Sequence, residues 1–259
     1  MWHIVKAYLE FLWQSKNEYA VHSPFVFDLL TKCVYDKTDD AAYETLDDFR
    51  ESLLANDSEI DVTDFGAGSR VFKSNRRKIS AIAKNAGISR KRAKLLFRLT
   101  RYFKPENILE IGTSLGLATS ALSLGHPSAK ITTLEGCPET ASVAKRQLES
   151  FGLNNVDVKV GEFAAVLNIQ PLAASHYQLI YFDGNHQKEA TLKYFDLLLP
   201  TITNDTVWIF DDIHWSADME QAWETIKQNP KVTVTIDTFQ WGLVFFRKEQ
   251  QKEHFVLRA

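Results

Sequence analysis

Cysteine is scarce: the 259 residues hold only Cys33 and Cys137. The two lie far apart in no metal-ligand spacing, and read as free thiols of a reducing compartment. No stretch approaches the ~20 consecutive apolar residues that a membrane helix needs. Met1–Lys6 also lacks a basic region leading into a long apolar run, so a cytoplasmic location is expected rather than secretion. Acidic residues are missing from one long segment. Residues 65–104 carry 13 Lys/Arg and no Asp/Glu, whereas residues 1–64 net −9 and residues 105–259 net −7. A basic block between acidic flanks suits an anionic partner such as nucleic acid, or is neutralised by those flanks in the folded chain. Neither an internal repeat nor a low-complexity segment is present.

An apolar fraction of 45% leaves ample material for a core, and the length suits one catalytic domain with a substantial extension. Residues 1–103 read as helical. Trp2, Val5, Tyr8, Leu9, Leu12 and Trp13 share one helical face. A second apolar segment follows Ser23-Pro24, and Ala41–Ala55 forms a third, acidic helix. A short extended stretch, Ile60–Thr63, precedes two basic helices, Arg76–Asn85 and Ser89–Phe103. From Asn107 strands alternate with helices. The strands are Asn107–Ile111, Lys130–Leu134, Val156–Val160, Tyr177–Phe182 and Thr206–Phe210. Such alternation predicts a parallel sheet covered on both faces. Val232–Ile236 and Leu243–Phe246 then read as a closing hairpin, which makes one strand antiparallel.

Chemistry concentrates at the predicted strand ends. Ile108-Leu109-Glu110-Ile111-Gly112-Thr113-Ser114-Leu115-Gly116 runs from a strand through a glycine turn into a helix, where α/β sheets bind ligands. The spacing is G-x-x-x-G, without the second glycine of a diphosphate-binding G-x-G-x-x-G. Nineteen residues on, Glu135-Gly136 ends the next strand, a position from which a carboxylate accepts bonds from both hydroxyls of a ribose. A phosphate-free adenosine fits both observations. Asp64-Phe65-Gly66-Ala67-Gly68-Ser69 is written like a second such turn, but no acidic residue follows until Glu106. It reads as a plain turn bordering the substrate pocket. Asp183, Asp211 and Asp212 end the fourth and fifth strands on the same edge. Like charges this close need a cation between them, and Mg²⁺ would provide it.

Glu110–Gly116 resembles motif I of class I S-adenosylmethionine-dependent methyltransferases, particularly the metal-dependent O-methyltransferases of catechol and sugar-modifying type. The resemblance covers Lys104 to Lys248. It implies a Rossmann-like α/β fold with a seven-stranded, mostly parallel sheet and a C-terminal antiparallel hairpin. Residues 104–259 would then be the catalytic domain, and residues 1–103 a helical extension that covers the site and contributes to a homodimer. It also implies that Glu110, Gly112, Thr113, Ser114 and Gly116 hold the methionine portion, that Glu135 and Gly136 meet the ribose, and that Glu162 and Phe163 lie near the adenine. Asp183 would contact the cofactor or, with Asp211 and Asp212, hold Mg²⁺. His186 occupies the position of the catechol-type base lysine and is the candidate base; His214 is a weaker one. Asn185 departs from the sugar-modifying pattern, which has Asp there. The expected reaction is methylation of a small hydroxylated molecule. The N-P-P-Y of exocyclic-amine methylation is absent after strand four. The competing reading is a helix-turn-helix at residues 79–94, in a DNA-binding protein or an RNA methyltransferase using the basic segment.

Overall fold

The computed structural model describes residues 2–63, 74–169 and 176–258. Three helices open the chain: α1 (Trp2–Gln14), α2 (Pro24–Leu29) and α3 (Ala42–Leu54). Ser23 caps α2 by accepting the Val26 N–H, and Pro24 occupies the first turn, where no amide partner is lost. The apolar face of α1 exists but points outward. Trp2 and Trp13 are 88% and 87% exposed, and only Ala7 and Phe11 are buried. Tyr8 and Phe11 pack on Phe239 instead, with ring centroids 4.9 and 5.5 Å apart.

Two short strands follow, β1 (Glu59–Asp61) and β2 (Arg76–Lys78), paired antiparallel. Residues 76–78 are therefore extended, not the start of a helix. They pair with β1, and across that pairing Arg76 Nε lies 2.6 Å from Glu59 Oε2. Helices α4 (Ile79–Asn85) and α5 (Arg90–Phe103) complete the first half. Ser89 caps α5, and burial of Leu95, Leu96, Phe97 and Leu99 contributes about 1.5–3 kcal/mol per side chain.

The second half alternates as expected: β3 (Asn107–Ile111), α6 (Leu117–Gly125), β4 (Lys130–Glu135), α7 (Pro138–Ser150), β5 (Val156–Val160), α8 (Phe163–Leu167), β6 (Leu179–Phe182), α9 (Lys188–Leu198), β7 (Val207–Asp211) and α10 (Ala217–Gln228). The chain closes with β8 (Val234–Asp237), β9 (Trp241–Phe245) and β10 (Glu253–Val256). The sheet order is β10-β8-β9-β7-β6-β3-β4-β5, with β9 antiparallel to both its neighbours. The order changes direction between β3 and β6, and the crevice at such a point is where α/β sheets take ligands. Strands β6 and β7 are buried along their whole length, as two-sided coverage of a parallel sheet requires. The sheet has eight strands rather than seven. β10 adds in parallel to β8, and only Phe255 of its residues is buried, so no alternating pattern announced it.

One apolar cluster joins α3, α5, α6 and α7 to one face of the sheet; a second joins α8, α9 and α10 to the other. No helix among the described residues is long and apolar enough to cross a membrane. The basic stripe of α5 is largely answered by acid. Arg90 pairs with Asp47 and Glu51, Lys94 with Asp47, and Arg101 with Asp36 and Asp40. Its apolar face packs inward, so α5 does not project as a recognition helix would. Among the described residues, Arg76 and Lys78 are answered by acid as well, through Glu59 and Asp57.

Candidate active site

A solvent-open cavity of about 210 Å³ lies beyond the carboxyl ends of β3 to β6. Its floor is the turn after β3. Gly112 has φ +107°, and both it and Thr113 donate their N–H to Leu134 O at 3.0 Å. A side chain at Gly112 would strike the backbone of Asp183, its Cβ lying 2.7 Å from the carbonyl carbon and closer to the oxygen. Ser114 follows at φ +48°, and its N–H donates to Glu135 Oε2 at 2.8 Å. The other oxygen of Glu135 accepts the Cys137 N–H at 2.9 Å. Two backbone donors thus fix the plane of the carboxylate at the cavity wall, a rigidity that side-chain partners would not supply.

Glu110 sits behind this turn, outside the cavity lining and fully buried. Its Oε2 accepts the hydroxyls of Thr119 and Thr133 at 2.5 Å each, while Oε1 has no partner among the described residues. Burial pushes its carboxyl up to about 8, against the opposing pull of those two bonds. Glu110 therefore shapes the turn from beneath. Gly161, Glu162 and Phe163 line the far wall. Both oxygens of Glu162 cap α8, accepting from Ala164 N and Ala165 N. Phe163 stands edge-on to Tyr194 at 6.1 Å and presses against Gly184, where an added Cβ would meet its ring at 2.5 Å.

The reactive edge begins with Asp183, which lines the cavity. His186 Nε2 lies 3.7 Å from Asp183 Oδ1. Burial raises the Asp183 carboxyl well above the usual carboxylate range, and the neighbouring charge of Asp211 raises it further. Asp212, at φ +53°, is pushed up to about 6 by burial and by Asp211, with His186 and Arg92 pulling the other way. Asp211 is buried, and its Oδ1 accepts from Arg92 Nη1 at 2.8 Å. Burial opposes the charge of Arg92, but Asp211, Tyr181, Asp183 and Asp212 together hold it above its ordinary value.

These carboxylates do not fit a divalent-cation site as they stand. Arg92 already pairs with Asp211, one of the three carboxylates expected to hold Mg²⁺, and among the described residues no group of three or more His, Cys, Asp or Glu is disposed to hold a metal.

Comparison with known proteins is consistent with this geometry. The family model "Methyltransferase domain" matches residues 109–213. Residues 109–213 are thus similar to a methyltransferase domain. A catechol O-methyltransferase of Mycobacterium tuberculosis is 29% identical over 128 residues, covering 49% of this chain and 56% of that protein. The chain thus spans about half the length of that curated relative. Among solved structures, an SAH-bound methyltransferase of Podospora anserina, PaMTH1, superposes with TM-score 0.60 at 14% identity, covering 88% of this chain and 97% of that one. An O-methyltransferase of Bacillus cereus in complex with SAH gives 0.57 at 20%, covering 86% and 97%. These likenesses establish the class I methyltransferase fold.

Within the matched stretch, Gly112, Ser114, Glu135, Gly136, Glu162, Phe163 and Asp183 line one cavity. Thr113 instead bonds Thr133 beneath the turn at 2.6 Å, and Gly116, at φ +83°, starts α6 against Phe49 and Leu148. Asp211, Asp212 and His186 stand outside the lining. His214 is no base for this cavity. Its Nδ1 and Nε2 lie 2.8 Å from Glu220 Oε1 and Asp237 Oδ2, and it stacks on Phe239. The turn Asp64–Ser69 lies outside the described residues. Tyr194, Thr140 and Arg92 escaped the sequence reading, as did the particular residues of the N-terminal wall, Val62, Thr63, Arg77, Ile82 and Ala86. Nothing local distinguishes Arg92 from the other cations of α5.

Proposed function

We propose that the chain is an S-adenosylmethionine-dependent O-methyltransferase acting on a small hydroxylated molecule. The observation that carries this reading is the Glu135 carboxylate, fixed by the Ser114 and Cys137 amides above a glycine turn built for close backbone approach. Such a site has a partner for ribose hydroxyls and no diphosphate-binding glycine pattern. The turn 112–116 would hold the methionine end, Glu135 the ribose, and Phe163 the adenine face. S-adenosylmethionine supplies an electrophilic methyl group when bound there.

The chain's own part is to position the acceptor hydroxyl and take its proton. His186, beside Asp183, is the proposed proton acceptor. Asp183 faces the cavity and orients both the imidazole and the acceptor. Alignment of two bound reactants supplies much of the acceleration in such a displacement. Residues 1–103 act as the cover: Val62, Thr63, Arg77, Ile82 and Ala86 close one wall of the cavity, which residues 104–259 would leave open.

The test is transfer of labelled methyl from S-adenosylmethionine to a panel of catechols, sugars and aliphatic polyols. The expected result is a labelled ether with at least one class, catechols being tried first because of the relative's name. His186→Gln is expected to lower kcat by about 10²-fold or more with little change in the KM for S-adenosylmethionine. Labelling of no hydroxyl compound, or full activity in His186→Gln, would remove the reading or its base.

A further inference from the structure

The reactive edge gathers three carboxylates, and the chain itself provides a cation for them. Arg92 reaches Asp211 from the first turn of α5, across 119 positions of sequence. The pair is well covered, with 21% and 6% of the two side chains exposed. A guanidinium carries its charge at any working pH and offers five donors in a rigid fork. Among the described residues the buried Arg92 Nε has no hydrogen-bond partner, nor has the buried Tyr181 hydroxyl, which feels the charge of Arg92. The fork therefore has donor capacity left over beside Asp183, Asp211 and Asp212. A divalent ion placed among these carboxylates would have to displace Arg92 from Asp211 or bear its repulsion at close range.

We propose that Arg92 supplies, as a positioning residue, the charge compensation that a divalent cation gives other O-methyltransferases, so that methyl transfer by this chain needs no metal. The inference rests on the methyltransferase reading above. Arg92 holds Asp211 in place at the end of β7, beside the end of β6 where Asp183 meets the acceptor. Removing the guanidinium while keeping its bulk leaves an uncompensated carboxylate cluster, and such a cluster recruits hard cations.

The experiment is an electron paramagnetic resonance titration with Mn²⁺ of the wild-type protein, Arg92→Met and Arg92→Lys, alongside calorimetry with S-adenosylhomocysteine and activity after EDTA. In the wild type no stoichiometric Mn²⁺ binding is expected, and EDTA changes activity by less than about twofold. Arg92→Met is expected to bind one Mn²⁺ and to lose about 10²-fold or more of its metal-free activity. Added Mn²⁺ should restore part of that loss, S-adenosylhomocysteine affinity should stay within about threefold, and Arg92→Lys should remain metal-independent. One Mn²⁺ bound by the wild type and lost in Asp211→Asn, or activity abolished by EDTA, would overturn the inference. If Arg92→Met does not fold, the wild-type titration and the EDTA arm still decide. Absence of S-adenosylhomocysteine binding would sink the methyltransferase reading instead, so the two failures are distinguishable.

Discussion

Gly112→Ala should cost about 4 kcal/mol of stability and remove most cofactor affinity. Two penalties add. The residue sits at φ +107°, where a Cβ strains the backbone by roughly 1–3 kcal/mol. Its Cβ would also collide with the Asp183 carbonyl and approach Gly184 Cα to 3.0 Å. Both are backbone atoms, and they cannot retreat freely. Asp183 N donates to Ile111 O at 2.9 Å, and Ile111 faces Phe182 across β3 and β6. Overpacking a fixed neighbour costs a further ~1–3 kcal/mol. Gly152→Ala is the control. It too has positive φ, at +70°, but nothing lies within 4 Å of its Cβ, so only about 1–2 kcal/mol is expected. Urea unfolding of both variants measures the difference. Equal midpoints would show that the close approach of the turn to Asp183 is not tight.

Glu110→Gln should change the pH dependence of stability more than any single replacement outside the reactive edge. Burial raises this carboxyl to about 8 from an ordinary 4.5. Between those values the folded protein keeps a proton that the unfolded chain has released. Its contribution to stability is therefore whole below about pH 4.5 and falls as pH rises through about 8, at up to ~1.4 kcal/mol per unit. Above that the loss is complete. Glutamine has the shape of the protonated acid and keeps a carbonyl for the Thr119 and Thr133 hydroxyls, so the variant lacks the slope. Unfolding curves of the two ligand-free proteins should diverge steadily from pH 5 to 8, glutamine being the more stable at the upper end, on top of a pH-independent offset. Parallel curves would mean that Glu110 ionises freely. Because Glu110 lies outside the cavity, its amide form should also bind S-adenosylhomocysteine far better than a variant lacking Glu135.

The alternating half of the chain was legible because each of its elements is locally periodic. Strands β3 and β5 fall where Asn107–Ile111 and Val156–Val160 predict them, and Pro138 and Ser216 open α7 and α10 as proline and a capping serine should. The glycine turn and Glu135 were readable for the same reason: a ligand pressed against a strand end constrains residue type at fixed spacing. What escaped depends on distant partners. β2 is held by Glu59 across a pairing, β10 by an edge that its own sequence does not advertise, and Arg92 by an aspartate in another layer. The aspartates themselves were identifiable as a charge problem, whereas the cation that answers it was hidden in a helix already full of cations. His214 misled for the opposite reason. Its position after β7 suggested chemistry, but Glu220 and Asp237 engage both its nitrogens.

Isothermal titration of the full chain with S-adenosylhomocysteine decides whether this cavity binds a phosphate-free adenosine ligand through Glu135, as proposed. One site per chain is expected, weakened about 100-fold or more in Glu135→Ala, the loss for two hydrogen bonds to a charged acceptor at about 1.5–3 kcal/mol each. No binding by the wild-type chain, or equal binding by the variant, would contradict it.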